Sequence, residues 1–591
     1  MKILESLFGK LLLTGLACCC FSWVKADTKP FFTTGIDISQ NGEMWLAEKG
    51  KKCVDIFSAD GKELLHSYPV DETPTGILLH EGKAYVTTFE TMGHLQIMQM
   101  ETGKVEKIIP TGSGACFPLL GPDGKHIYIC NQFSNNVVEI DLASGKIVRT
   151  VNVLREPRSA VFSKDGKYLF VTNFLPAQRA DLDYVAACVS VIDVNTFEKV
   201  KDIQLANGSN ALRGLCITPD GKYVYVSHNL GRFTVPTSQL QQGWMNTSAF
   251  SIIDAENLSY AGVVIVDEPD RGAAGIWSIA CDEKQIYITH SGTHEVSVID
   301  HEAMREKFEA YPDKSRLDYD LTFLYGLRTR IPLQGNGPRC MVANENKVVI
   351  PTYFADVLNV LDKESLNLTS VPLNPDRTET VEQKGERYFN DAAHCFQNWQ
   401  SCNGCHPGDA RTDGMNWDLM NDGIGNSKNC KSLLFSHVTP PCMISGIRES
   451  AELAVRAGFR YIQFYEPEED MAVCVDAYLK SLQPVPSPYL VDGKLSEKAE
   501  AGRKVFEKLK CGECHSGPYY TDMKYHVIGE NVEFEQGWDT PTLREVWRTA
   551  PYLFNGAAAT MEEVFRVYKH GIDKKVSDKE IEELTEYVNS L

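Results

Sequence analysis

Beyond its first 26 residues the chain has no apolar run long enough to cross a bilayer, so no later segment is expected to span a membrane as a helix. It is short of positive charge. Lys and Arg number 59 against 79 Asp and Glu, a formal net charge of −20. That removes the electrostatic footprint of a nucleic-acid binder. An acidic surface solubilises, and it can also attract a basic electron carrier. Neither of its two CxxC motifs has a second CxxC close by, which disfavours a four-ligand zinc site. Neither stands in the βαβ setting of a thioredoxin-like redox pair. What is present is 591 residues, 43% hydrophobic and 10% aromatic, enough for two to four domains of ordinary globular composition.

The N-terminus reads as an export signal over residues 1–26. Lys2 and Lys10 precede an apolar stretch from Leu11 to Ala17, and Ala26 offers a small residue for cleavage. Cys18, Cys19 and Cys20 raise lipidation as a rival. Neither frame fits a lipobox well: Gly15 stands where Cys18 needs leucine, and Cys18 directly precedes Cys19. The expected location is therefore outside the cytoplasm, periplasmic or at the cell surface, with a lipid anchor left open. Eleven cysteines remain outside the leader and the CxxC motifs. Eleven is odd, so at least one is unpaired within the monomer.

From Asp37 one pattern returns. A turn of the Asp-Gly-Lys type is followed by a short alternating strand, a loop, and a second strand ending near Asp. The turns are Asn41-Gly42, Glu81-Gly82-Lys83, Asp123-Gly124-Lys125, Asp165-Gly166-Lys167, Asp220-Gly221-Lys222, Asp282-Glu283-Lys284 and Asn344-Glu345-Asn346-Lys347. Asp-Gly permits the positive φ of a tight hairpin. Strands such as Tyr223 to Ser227 and Val296 to Asp300 alternate as half-buried strands do. One such sheet cannot bury both faces alone, whereas blades stacked about an axis can. Seven copies predict a seven-bladed β-propeller over residues 30–375. The string Tyr168-Leu169-Phe170-Val171-Thr172-Asn173 resembles YVTN-type propellers. Blades four to six carry insertions, from Asn229 to Asn246 and from Arg305 to Arg330, which mark candidate docking loops for a substrate or protein. His228, His290 and His294 lie there as a candidate metal or substrate site, set against hydrogen-bonded histidines on blade edges.

Past the polar junction Asn374 to Thr380 the period becomes helical. Two pentapeptides then stand out, Cys402-Asn403-Gly404-Cys405-His406 and Cys511-Gly512-Glu513-Cys514-His515. CxxCH is the attachment motif of a c-type haem: the thiols bond the porphyrin and the histidine lies under the iron. Each follows a helical stretch, Val381 to Gln397 and Ser496 to Leu509. The expectation is a multidomain chain: the all-β propeller, then an all-α tandem cytochrome c-like dihaem domain over 381–591, with lobes of about 381–484 and 489–591. The expected cofactors are two covalently bound haems. Calcium between the lobes is left open.

The paired motifs, Lys428-Asn429 with Ser432-Leu433-Leu434, Thr439-Pro440-Pro441, and Pro541-Thr542-Leu543-Arg544 running to Thr549-Ala550-Pro551-Tyr552 resemble the bacterial dihaem cytochrome c peroxidases and their methylamine-dehydrogenase-maturing relatives. The resemblance implies a peroxide-reactive N-lobe haem on Cys402, Cys405 and His406, and an electron-relaying C-lobe haem on Cys511, Cys514 and His515. It implies His437 as a removable distal ligand, against a packed or surface histidine. It points to Glu452 as the acid–base group, with Glu449 second, against a helix ion pair. It places Tyr568 on the second iron. Thr560-x-x-Glu563 predicts a capping box, so that Met561, Val564, Phe565 and Tyr568 share a face, and His570 is the runner-up ligand. Trp417 and Trp538 are candidate electron bridges, set against packing. Relatives carry His-Asp where this chain has Phe554-Asn555, which alters hydrogen bonding near the haems. The implied activity is reduction of hydrogen peroxide, or another small oxidant, by a small donor protein or quinol-linked donor. Its rivals are a non-enzymatic electron-transfer or surface-binding protein with two six-coordinate haems, and a dihaem oxidase of a larger or protein-bound substrate.

Overall fold

A computed structural model describes residues 29–234, 245–419, 427–528 and 535–591. The expected leader 1–26 with Cys18, Cys19 and Cys20, and residues 235–244 of the first insertion, lie outside the described residues.

Seven antiparallel sheets follow one another along residues 33–372, each with its strands in chain order. The fifth alone has its first strand split, so that Ser209–Asn210 and Leu215–Ile217 both pair with Tyr223–Gly231. The expected seven-bladed propeller is thus observed, and each anticipated turn joins the first and second strands of its blade. The turns are built locally: Asp123 Oδ1 accepts from the Lys125 amide at 2.9 Å while Gly124 takes φ +66°. The strands foreseen after each turn are the second and third of a blade. They are buried on both faces, as in Met44–Glu48, because each blade is sandwiched between two others. The first strand lines the axis. There Thr34 Oγ1 donates to the Pro74 carbonyl at 2.9 Å, and Thr75 Oγ1 to the Ala115 carbonyl at 2.6 Å, stitching each blade to the next.

The apolar cores lie between blades. Trp45, Ala47, Val54 and Ile56 of the first pack on Ile77, Ala84, Val86 and Met98 of the second. The ring closes the same way, Met44, Leu46 and Phe57 packing on Val349 and Leu358. Asp356 clasps both ends of the domain: its Oδ1 accepts from the Phe31 amide at 3.0 Å and pairs with Arg377 at 3.0 Å. The flanks of the first insertion are strand, since Tyr223–Gly231 and Asn246–Asp254 run nine residues each. The second insertion forms helix α1 (His301–Ala310), capped by Asp300, and folds Met304 and Phe308 against blades five and six.

The C-terminal region contains α2 (Val381–Asn390), the short α3 (Pro407–Ala410), α4 (Ala451–Tyr461), α5 (Glu469–Ser481), α6 (Glu497–Lys508), α7 (Met561–Arg566) and α8 (Asp578–Asn589). The expectation of an all-α domain is corrected here. Each half also holds a two-stranded ladder, Asn416–Trp417 with Lys428–Asn429 and Tyr525–His526 with Trp538–Asp539, and much of the rest is loop and 3-10 turn. The stretches after each CxxCH carry no sustained helical period, and their described residues form turns and the two short ladders.

The two halves repeat one another. Gly385 lets α2 close on α5, where a Cβ would meet the Cys474 carbonyl at 1.9 Å. Gly502 does the same for α6 on α8, against the Glu583 carbonyl at 1.9 Å. Thr412 Oγ1 donates to the Cys430 carbonyl at 2.7 Å, and Thr521 Oγ1 to the Thr540 carbonyl at 2.6 Å. The region sits on the propeller: Ala392 and Ala180 amides donate to the Gly292 and Gly556 carbonyls at 2.9 Å each.

Candidate functional site

The first motif is delivered by α2, whose start is a capping box of Thr380 and Gln383. Cys402–Gly404 forms a single 3-10 turn, and the His406 amide donates to the Cys402 carbonyl at 3.0 Å. His406 Nδ1 lies 3.0 Å from the Arg411 carbonyl. A carbonyl only accepts, so Nδ1 carries the proton and Nε2 is left with its lone pair. Burial pushes the His406 pKa down, which keeps the ring neutral.

The second motif has the same build. α6 leads into the turn Cys511–Glu513, the His515 amide donates to the Cys511 carbonyl at 2.9 Å, and His515 Nδ1 lies 3.1 Å from the Tyr520 carbonyl. Burial pushes His515 down to about 4. In each motif the accepting carbonyl is five residues beyond the histidine. An iron ligand held by a backbone carbonyl through its other nitrogen is the usual outer-shell arrangement of a metal-bound imidazole.

These residues fit covalently attached haem. All four motif cysteines are free thiols. Among the described residues no group of three or more His, Cys, Asp or Glu could hold a bare metal ion. The CxxCH side chains therefore do not converge as a zinc cage, and calcium between the lobes has no candidate side-chain cage there.

The second motif faces a partner. The rings of His515 and His570 have centroids 6.2 Å apart and planes inclined by 56°. Two imidazoles on opposite sides of one metal, each nitrogen at ~2 Å, have centroids ~6 Å apart. Tyr568 is turned elsewhere, donating through Oη to the Ala557 carbonyl at 2.8 Å and standing 39% exposed. The physical reason is helix length: α7 ends at Arg566, and the His570 amide donates back to the Val564 carbonyl at 3.1 Å, carrying the ring inward. Met561, Val564 and Phe565 form the apolar face as expected from the capping threonine.

The His437 side chain is buried, with Nε2 3.0 Å from Asp476 Oδ1 and Nδ1 3.3 Å from Ser436 Oγ. Asp476 also takes Arg456 Nη1 at 2.6 Å. Glu452 stands in the first turn of α4, where Lys480 Nζ of α5 meets its Oε1 at 2.8 Å. That hydrogen bond holds its carboxyl down to about 2. Glu452 is thus an ionised member of an outward-facing ion pair, and Glu449 precedes the helix. His228 and His290 are buried structural histidines. His228 Nε2 lies 2.8 Å from Ser251 Oγ, and His290 Nε2 lies 2.9 Å from Ser297 Oγ. Asn173 Nδ2 does the same job toward Ser190 Oγ in blade four, at 2.9 Å. His294 instead meets Asp391 at 3.1 Å, on the C-terminal region.

Trp417 Nε1 donates to Asp413 Oδ2 at 2.8 Å, and its ring packs with Met245, Met415 and Cys430. Trp538 stacks on Phe554, centroids 4.4 Å apart at 13°. The Phe554 carbonyl accepts from the Asn429 amide of the other lobe at 2.8 Å, so this residue serves the lobe interface.

Three features were not legible in the chain. Arg411, whose carbonyl holds His406, sends its side chain to Glu545 in the other lobe at 2.8 and 3.0 Å. Glu545 touches Arg548 at 3.5 Å, and Arg548 pairs with Glu156 of the propeller at 3.0 Å. Asp413 is buried beside the first motif, and burial raises it to about 7. Its counterpart Asp522 is lowered instead: partial burial raises it, but His526 and Thr540 outweigh that. Third, a small, partly open cavity of about 20 Å³ lies between propeller and first motif, walled by Arg213, Asn229, Asn246, Gln400, Asn403 and Gly404. The Asp-Gly turn and CxxCH are local signals. These three depend on residues hundreds of positions apart.

No protein-family model matches the chain. In sequence it is similar to hydrazine synthase subunit gamma of Kuenenia stuttgartiensis, 25% identical over 283 residues, covering 37% of this chain and 79% of that one. It is also similar to hydrazine synthase subunit beta of the same organism, 27% identical over 216 residues, covering 35% and 53%. Antigen Lp49 of Leptospira interrogans is 28% identical over 198 residues, covering 31% and 41%. The chain thus spans about half the length of the beta subunit and less of the antigen. In fold, a chain of Kuenenia stuttgartiensis hydrazine synthase superposes with a TM-score of 0.51 at 21% identity, covering 60% of this chain and 99% of that one. These likenesses correct the resemblance to dihaem cytochrome c peroxidases: they run to hydrazine synthase subunits. Paired CxxCH motifs and proline turns report how haem is attached and where a chain bends, not which family supplies the reaction. With that resemblance goes the support it lent to peroxidase activity.

Proposed function

We propose that this chain is an exported haem-bearing oxidoreductase subunit, working in a larger assembly, whose two C-terminal lobes divide the work. The C-lobe relays electrons and the N-lobe meets a small substrate beside the propeller. The observation that carries this reading is the shared anchoring of His406 and His515, each with Nδ1 on the backbone carbonyl five residues on. Cys402, Cys405 and His406 would hold one haem, and Cys511, Cys514, His515 and His570 the other. A c-type haem supplies a one-electron couple whose potential is set by axial ligand, burial and nearby hydrogen bonds. The proposed domains are the propeller at 30–375 and two haem lobes at about 381–484 and 489–591.

The residues support different tasks in the two lobes. The ring of His570 lies 6.2 Å from that of His515, and as a second histidine ligand it would suit a coordinatively closed relay. The first motif borders the small polar cavity walled by Asn246 and Asn403, where propeller side chains meet its loop. Asn246 Nδ2 donates to Cys405 Sγ at 3.3 Å and so fixes that wall to the attachment loop. Likeness to two subunits of one hydrazine-forming enzyme supports protein partners and small-molecule redox chemistry.

The test is production of the full chain with a working cytochrome c maturation system. Intact mass should show two added haems, and the spectrum one haem low-spin in both oxidation states. Hydrazine, small nitrogen compounds and hydrogen peroxide are then offered separately. One haem or none, or two haems silent to every small molecule, would sink the reading.

A further inference from the structure

Around the axis of the propeller, cations and aromatic rings alternate. Arg158 Cζ lies 4.0 Å from the Phe174 centroid, and Arg213 Cζ lies 5.5 Å from the same ring. Arg213 and Arg339 flank Trp277 at 4.2 and 4.5 Å, and Arg339 continues onto Tyr353 at 4.1 Å. Rings hold guanidinium groups in place without neutralising them.

Arg213 is the member of this ladder that lines the cavity. It is 8% exposed. Its hydrogen bonds are long: 3.4 and 3.3 Å to the Ala211 and Ile276 carbonyls, and 3.3 Å to Asn403 Oδ1. Its Nε, like those of Arg158 and Arg339, is buried with no hydrogen-bond partner. The carboxylates nearby serve the other members of the ladder and not Arg213: Glu156 pairs with Arg158 at 3.2 Å, Asp409 acts on Arg158, and Glu386 on Arg339. Glu156 is shared with Arg548, and Asp409 and Glu386 also lie in the field of Lys49. Burial, then Arg158, then Arg339 push Arg213 down to about 9. A buried, under-bonded guanidinium flanked by two more is a costly arrangement unless an anion completes it.

We propose that the cavity between Arg213 and the Cys402–His406 loop is a binding site for a carboxylate-type oxyanion. Asn403 and Asn246 also wall the cavity, with Asn403 Oδ1 accepting from Arg213 at 3.3 Å. The chemistry required is a compact anion with two oxygens for the guanidinium edge. Two sources supply it: a propionate of the haem on Cys402 and Cys405, or a free small oxyanion. The propionate source rests on the haem reading above, and the free-anion source does not.

The experiment uses the haem-loaded full chain, wild type and Arg213→Gln, with haem content checked by mass. Acetate, nitrite and phosphate are titrated singly by calorimetry at constant ionic strength, and the midpoint potential of each haem is measured. If a free oxyanion is the occupant, wild type binds at least one probe and Arg213→Gln weakens it about tenfold or more. If a propionate is the occupant, no probe binds, but Arg213→Gln lowers the midpoint of the N-lobe haem, because removing a cation disfavours the reduced state. Arg213→Lys, which keeps the charge, should retain much of either signal and serves if the glutamine variant fails to fold. No probe bound, with both potentials unmoved by either variant, overturns the site. Normal haem content in that case leaves the haem reading standing.

Discussion

Arg548 and Glu156, 392 positions apart in the chain, form a buried ion pair with Nε 3.0 Å from Oε1. Arg155 Nη2 donates to the Arg548 carbonyl at 3.0 Å, and Trp547 packs edge-on against Phe133 at 5.5 Å. This contact docks the second lobe on the propeller, and through Glu545 and Arg411 it reaches the carbonyl that holds His406. Removing Arg548 leaves Glu156 only Arg158 at 3.2 Å, so the cost should fall below the about 3–5 kcal/mol of a wholly unpaired buried charge. Arg548→Ala should therefore loosen the C-terminal half and expose the junction near residues 374–380 to protease. The double change with Glu156→Gln should cost less than the sum. Unchanged cleavage and denaturation midpoint would remove the pair from this role.

The same contact is acid-sensitive. Burial alone would raise Glu156, but Arg548 and Arg158 outweigh it and hold it down to about 2. The unfolded chain takes up that proton near 4.5, so the contribution is complete above about 4.5 and is lost as pH falls toward 2. Undocking followed by protease sensitivity should fall in this window and vanish in Glu156→Gln.

His228 and His290 give a separate, milder window. Burial lowers them to about 4 and about 3. Both are neutral in the folded blades, while the unfolded chain protonates near 6.5. Stability is then full above 6.5 and declines as pH falls toward 4, by up to roughly 3 kcal/mol for His228. His228→Asn, which copies the Asn173 arrangement of blade four, should shrink the slope of stability against pH between 6.5 and 4. An unaltered slope would show the ring does not carry it.

At the second haem motif His570 and Tyr568 make opposite predictions. His570→Ala should convert a low-spin haem to a high-spin or water-ligated one, seen in the visible and electron paramagnetic resonance spectra, with haem content kept. Tyr568→Phe should leave the spectrum alone, because its hydroxyl is spent on the Ala557 carbonyl. The reverse pattern would return the ligand role to Tyr568.

Cys216 and Cys281, on adjoining blades, place their sulfurs 3.4 Å apart. A disulfide oxidant should join them, with loss of two hydrogens by mass and a peptide cross-link between blades five and six. Such a bond closing 65 residues would stabilise by about 4 kcal/mol at most. Cys216→Ser should abolish it. Persistence of both thiols in excess oxidant would mean the backbone cannot give the last shift.

Seven turns and two haem motifs could be read in the chain because each is written within a few residues. Asp123 satisfies Lys125, Gly124 supplies the positive φ, and Cys402 lies one turn from His406. The resemblance points to Glu452 as the acid–base group against a helix ion pair, and the structure pairs it with Lys480 of the next helix. The resemblance places Tyr568 on the second iron, but the helix stops at Arg566 and its hydroxyl goes to the Ala557 carbonyl. Arg213, Trp277 and Arg339 stand 64 and 62 residues apart and carry no signal along the chain. Only the closing of the propeller brings them to one axis, under a loop from the C-terminal half. Local hydrogen bonding is encoded by neighbours in sequence. Burial and the meeting of charges are properties of the assembled volume, and in this protein they decide which groups near the haem motifs are free to act.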